Sequence, residues 1–155
     1  MPRTTPHASL RQLYDQDFAR WVEATVACLK TRNLEQIDWD GLIEEIEDLG
    51  KSEKRELESR LSVLLVHLLK RCYVDLPDCY RGWQLTIIEQ RNALKRLLKQ
   101  SPSLGNYLQA QLDEVYQDAW AEASTAYPDQ LFPDHYPFSR QLESLLDEAV
   151  WAAPK

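Results

Sequence analysis

Glycine is scarce: four residues in a chain of 155. Strand-and-turn folds use glycine heavily in their tight turns, so this scarcity argues against a β architecture. Cysteine is scarce as well. Cys28, Cys72 and Cys79 are odd in number and lack metal-ligand spacing, which fits a reduced, cytoplasmic setting and not a disulfide scaffold. Long hydrophobic runs are missing. The longest, Leu61 to Leu69, is interrupted by Ser62 and His67 and is far shorter than the about 20 apolar residues that span a bilayer. The opening stretch MPRTTPHASLRQLYDQ has no apolar core of a secretory signal. Excess positive charge is missing too. At a net charge of −7, neither nucleic acid nor an anionic membrane surface is an expected partner. The chain also has no Gly-x-Ser-x-Gly turn, glycine-rich phosphate loop or Walker lysine, so no catalytic residue and no cofactor is expected.

What is present is helical periodicity. A hydrophobic content of 44% is ordinary for a globular chain, and the length suits one domain. Residues 1–13 read as a loose lead-in. Asp15 is an N-cap candidate for a helix running to Thr31, with Phe18, Val22, Val26 and Leu29 on its inward stripe. Asp38 suits the cap of a second helix that buries Trp39, Leu42, Ile43, Ile46 and Leu49. Gly50 ends or kinks that helix, and Ser52 caps a third running from Glu53 to Tyr73. In this third helix Leu57, Leu61, Leu64, Leu65, Leu68 and Cys72 repeat at three and four. Val63 and Val66 fill much of the rest, so its middle should be buried nearly all round. A fourth helix spans Arg81 to Lys99, with Trp83, Ile87, Ile88, Leu94 and Leu98 inward. Ser101 and Pro102 then mark the start of a fifth, which runs to Ala126. Pro128, Pro133 and Pro137 impose an irregular segment before a short helix from Arg140 to Ala149. The expectation is an all-α, antiparallel, up-and-down bundle of about five helices plus a short C-terminal helix. The bundle would occupy 14–127, with 128–155 belonging to the same domain.

Four segments carry a resemblance: YDQDFARW (14–21), EEIEDLGKSEKRELESRLSVLLVHLLK (44–70), WQLTIIEQR (83–91) and SPSL (101–104). In them the chain resembles the family called domain of unknown function 29, frequent in cyanobacteria and other bacteria. The resemblance implies a small helical bundle and a bacterial, intracellular protein. It implies no reaction, substrate or catalytic residue.

Four polar positions merit attention: Glu45, Glu58, His67 and Arg91. Seven acids, from Glu35 to Asp48, occur without an intervening Lys or Arg, as a solvated face or a docking face for a basic partner. A ferritin-like dimetal bundle needs inward Glu-x-x-His pairs. His67 has Leu64 and Val63 at those spacings, and Glu56 lies three turns away, about 16 Å along the axis. His67 is therefore expected at the edge of the core as a hydrogen-bonding residue, with Trp83, Gln84 and Gln90 of the fourth helix opposite it. Arg91 falls between Ile87 and Leu94 on an inward face and must find a carboxylate or several carbonyls. Glu45, Glu47, Glu58 and Glu122 are the acids nearest the apolar stripes. The sequence leaves two classes of function open. One is a non-catalytic module that presents its acidic helix or its aromatic, Pro-rich tail to another protein. The other is a ligand- or metal-binding enzyme with a polar pocket around His67 and Arg91.

Overall fold

The computed structural model describes residues 9–152. Seven α-helices are found among them, with no strand: α1 (Leu10–Gln16), α2 (Phe18–Lys30), α3 (Trp39–Tyr73), α4 (Pro77–Gln100), α5 (Leu104–Ala110), α6 (Leu112–Ala126) and α7 (Leu142–Asp147). Short 3-10 turns lie at Leu34–Gln36 and Val150–Ala152. The all-α bundle is the observed architecture. Its contacts divide into two compact units, separated between Ser52 and Glu53, inside α3.

In the first unit, Ser9 and Gln12 form a reciprocal capping box that starts α1 at Leu10. Only residues 1–8 of the expected lead-in lie outside the described residues; 10–13 are helical. Asp17, not Asp15, caps α2 by accepting from the Arg20 backbone N–H at 3.1 Å. Asp38 caps α3 through Gly41 at 3.2 Å. Trp21 and Thr25 occupy the buried side of α2. The Tyr14 and Phe18 rings pack on Trp21 at 4.9 and 5.5 Å.

Two expected breaks are displaced. Gly50 does not interrupt α3, and Ser52 caps nothing, because the helix runs through both for 35 residues. A helical glycine costs about 1 kcal/mol, too little to end a helix continued on both sides by good formers. Ser101 and Pro102 do not start a helix either. Ser101 is the C-cap of α4, its hydroxyl donates to the Glu53 carboxylate, and α5 begins at Leu104. A turn at Gln111 then separates α5 from α6. The fourth helix, expected from Arg81, starts at Pro77, whose missing N–H leaves no bond unmade at the first helical position.

The second unit holds the core. Leu57, Leu61, Leu64, Leu65, Leu68 and Leu69 of α3 are fully buried against Ile87 and Leu94 of α4, Leu112, Tyr116 and Ala119 of α6, and Leu145 of α7. Arg60 donates to Gln90 at 3.3 Å, while Glu53 pairs with Ser101. Rising numbers on α3 thus meet falling numbers on α4, the antiparallel register. The 127–139 segment packs back onto this core. Phe132 is buried, Trp120 donates to its carbonyl at 3.3 Å, and Tyr136 stands edge-on to Tyr116 and Phe138. Ile88, expected inward, is exposed on α4.

The two glycines of α3 should respond oppositely to alanine. A Cβ at Gly50 meets nothing, so Gly50→Ala should raise stability by about 0.5–1 kcal/mol. A Cβ at Gly41 would collide with the Asp38 carboxylate and touch Trp21, so Gly41→Ala should lower it. Urea denaturation of both variants checks the pair.

Candidate functional site

Arg91 is buried on α4, as its position between Ile87 and Leu94 requires. Among the described residues no carboxylate forks it. Its Nε donates to the Leu145 carbonyl at 3.0 Å and its Nη2 to the Glu148 carbonyl at 2.6 Å. Both acceptors are carbonyls at the C-terminal end of α7, which have no intrahelical donor and attract a cation. Burial pushes the Arg91 pKa below its ordinary value, though Asp147, Cys72 and Glu148 oppose the shift. Beside it, the Trp151 ring lies 5.5 Å from the Arg71 guanidinium. Gln84, with its amide oxygen turned inward, accepts from Trp151 Nε1 at 3.0 Å and from Arg71 Nε at 3.2 Å. These residues clasp the C-terminal segment to α3 and α4. Cys72, whose thiol is pushed up by burial, is close by and poorly suited to thiolate chemistry.

His67 is half-buried on α3. Its Nδ1 lies 2.8 Å from the Val63 carbonyl of its own helix. A carbonyl can only accept, so Nδ1 carries the proton. Burial first, then Lys70, pushes the imidazole below its ordinary value of 6.5, while the Val63 bond and Glu122 of α6 oppose the shift. The expected stacking and amide partners on α4 are not its hydrogen-bond partners; the acid facing it comes from α6. His67 and Arg91 share no partner. The grooves lined by Arg55, Glu58, Glu114 and Asp118, and by Glu56, Arg60 and Gln90, include neither residue. Among the described residues, no three His, Cys, Asp or Glu side chains gather as a metal set.

Glu45 and Glu58 each accept from a tyrosine. The Tyr14 hydroxyl donates to Glu45 at 2.7 Å, and Tyr107 to Glu58 at 2.5 Å. The accepting carboxylate is the main reason each phenol's pKa is raised. These acids serve as bolts between helices. Glu45 joins α3 to α1 inside the first unit, and Glu58 joins α3 to α5 inside the second.

The surface of the first unit departs most from expectation. The apolar stripe assigned inward on the second helix faces outward: Trp39 is 48% exposed, Ile43 52%, Ile46 59% and Leu49 70%. The α2 set Phe18, Val22 and Val26 is exposed as well. Trp21 and Ile37 are the buried hydrophobic side chains among the described residues of this unit. Gly41, Leu42 and Glu45 provide the inward side of α3 instead. With about 100° per residue, Trp39, Ile43, Ile46 and Leu49 fall within an arc of about 120°. Asp40, Glu44 and Glu47, all exposed, lie along one flank of it. Periodicity found the stripe but gave no sign of whether another element covers it.

The fold is an all-α helical bundle in which Glu45, Glu58, His67 and Arg91 each have a hydrogen-bond partner. The chain belongs to the family described as Domain of unknown function DUF29, whose model matches residues 13–151. No curated protein and no solved structure matches it. Among the described residues no helix is long and apolar enough to cross a membrane.

The His67 geometry yields a pH prediction. A folded-state pKa below 6.5 means that the unfolded chain binds more protons between the two values. This contribution to stability is full above the unfolded value and is lost as the pH falls through the folded one. His67→Gln should cost no more than about 2 kcal/mol at neutral pH and should flatten the fall of the melting temperature between about pH 7.5 and pH 5. Calorimetry of both proteins across that range checks it. Metal analysis of the purified wild type and variant should find no metal lost with the histidine; stoichiometric zinc, iron or manganese present only in the wild type would restore a ligand role.

Proposed function

We propose that this chain is a non-catalytic, cytoplasmic protein–protein interaction module, and that the first unit carries its working surface. One observation supports this above the others: four large apolar side chains, Trp39, Ile43, Ile46 and Leu49, lie in one exposed stripe on α3. Single exposed hydrophobics are ordinary, but a contiguous set bordered by charges is typical of binding surfaces. The same helix buries its leucines fully from Leu57 to Leu69, so the stripe is not a general failure of packing. Of the two presenting segments the sequence suggested, the acidic helix fits this role better than the Pro-rich tail. The tail's Phe132, Tyr136 and Phe138 already pack on the core. The polar residues of the rival enzyme reading are engaged elsewhere: His67 with Val63, and Arg91 with Leu145 and Glu148.

The test is affinity capture of the tagged full chain from an extract of its source cells, with wild type beside Ile43→Glu/Ile46→Glu. Both positions are exposed, so the double variant should lose no more than about 1 kcal/mol and keep its helical circular dichroism. The expected result is at least one protein retained stoichiometrically by wild type and lost from the variant. Identical captures, or a small-molecule turnover abolished by His67→Gln, would overturn the reading.

A further inference from the structure

The α3 stripe has a charge pattern that narrows its occupant. We infer that it takes a basic amphipathic helix from another protein, laid along Trp39, Ile43, Ile46 and Leu49 with Lys or Arg side chains against Asp40, Glu44 and Glu47. This inference rests on the interaction-module reading and specifies the partner's chemistry.

Three arguments lead to it. The first is complementarity. From Glu35 to Asp48 there are seven acids and no Lys or Arg; the first base, Lys51, comes after the stripe ends. Two of the seven, Asp38 and Glu45, are engaged inside the unit with Gly41 and Tyr14. Glu35, Asp40, Glu44, Glu47 and Asp48 are exposed, and none has an ion-pair partner among the described residues. Counter-charge on a partner would meet free carboxylates, steering its approach and fixing its register. The second argument is periodicity. Apolar residues at i, i+4, i+7 and i+10 over about 15 Å of helix match the anchor spacing by which one helix lies on another.

The third argument weighs a second copy of the chain. An antiparallel two-fold pairing through this stripe would bring its acidic flank against the acidic flank of the second copy, a like-charge contact that opposes pairing. A standard stable interface takes about 800 Å² from each partner, more than four partly exposed side chains supply. The stripe therefore suits a single helix better than a dimer face.

The probe is a fluorescein-labelled amphipathic peptide of about 18 residues, with Leu on an i, i+3, i+4, i+7 stripe and Lys on both flanks. Its control has Glu in place of every Lys. Fluorescence anisotropy with the full chain should show the Lys peptide binding at least about tenfold more tightly than the Glu peptide, and weakening from about 50 to about 500 mM salt. Ile43→Glu/Ile46→Glu should abolish binding. Asp40→Lys/Glu44→Lys/Glu47→Lys, checked for helicity, should reverse the preference toward the Glu peptide. Equal binding of both peptides, no binding of either, or indifference to both sets of substitutions would overturn the inference. So would a concentration-dependent dimer in sedimentation velocity that Ile46→Glu disperses, which would name a second copy as the occupant. If the peptide assays fail while the capture experiment still separates wild type from variant, the interaction module stands and only the partner's chemistry falls.

Discussion

The unbroken backbone of α3 is the constraint on which the rest of the structure depends. A helix of 35 residues carries two apolar stretches, Trp39 to Leu49 and Leu57 to Leu69, with the polar run 50–56 between them, but such a stretch is buried only where other helices lie against it. From Leu57 to Leu69 that cover comes from α4, α6 and α7, and six leucines are excluded from water. From Trp39 to Leu49 the helix belongs to a unit whose other helices are the 7-residue α1 and the 13-residue α2. These cover Gly41 and much of Leu42 and leave Ile43, Ile46 and Leu49 exposed.

Three carboxylates on α3 are held by neutral hydroxyls. Tyr14, Ser101 and Tyr107 serve Glu45, Glu53 and Glu58. In a chain of net −7 this arrangement locates acids at helix contacts without drawing on the limited supply of Lys and Arg. A phenol or hydroxyl bond to a carboxylate is charge-assisted and directional. It is also less sensitive to salt than an exposed ion pair such as Arg140 with Asp113.

Much of the fold was legible because the strongest signals are local. The 3- and 4-residue repeat from Leu57 to Cys72 identified the core helix, and the inward place of Arg91 followed from its spacing to Ile87 and Leu94. Its partners could not follow, since Leu145 and Glu148 lie 54 and 57 residues away and act through backbone carbonyls, which every sequence has. Ser52 and Ser101 misled for a different reason. Each has the side chain of a cap, but capping depends on where the backbone leaves the helix, and neighbouring formers decided that. Exposure of the Trp39–Leu49 stripe was illegible in principle, because amphipathicity says which face is apolar and not whether anything covers it.

The unequal cover along α3 also gives its backbone two lifetimes within one hydrogen-bonded ladder. Amides between Leu57 and Leu69 sit beneath side chains that part only when the core itself opens, so their hydrogens should exchange with solvent at the pace of global unfolding. Amides around Ile46 to Gly50 have the same bonds but only exposed side chains over them, and a glycine that loosens the turn. They can fray by a turn without disturbing a single core leucine. One helix thus carries a slow-exchanging and a fast-exchanging stretch, with the change of pace near residue 52.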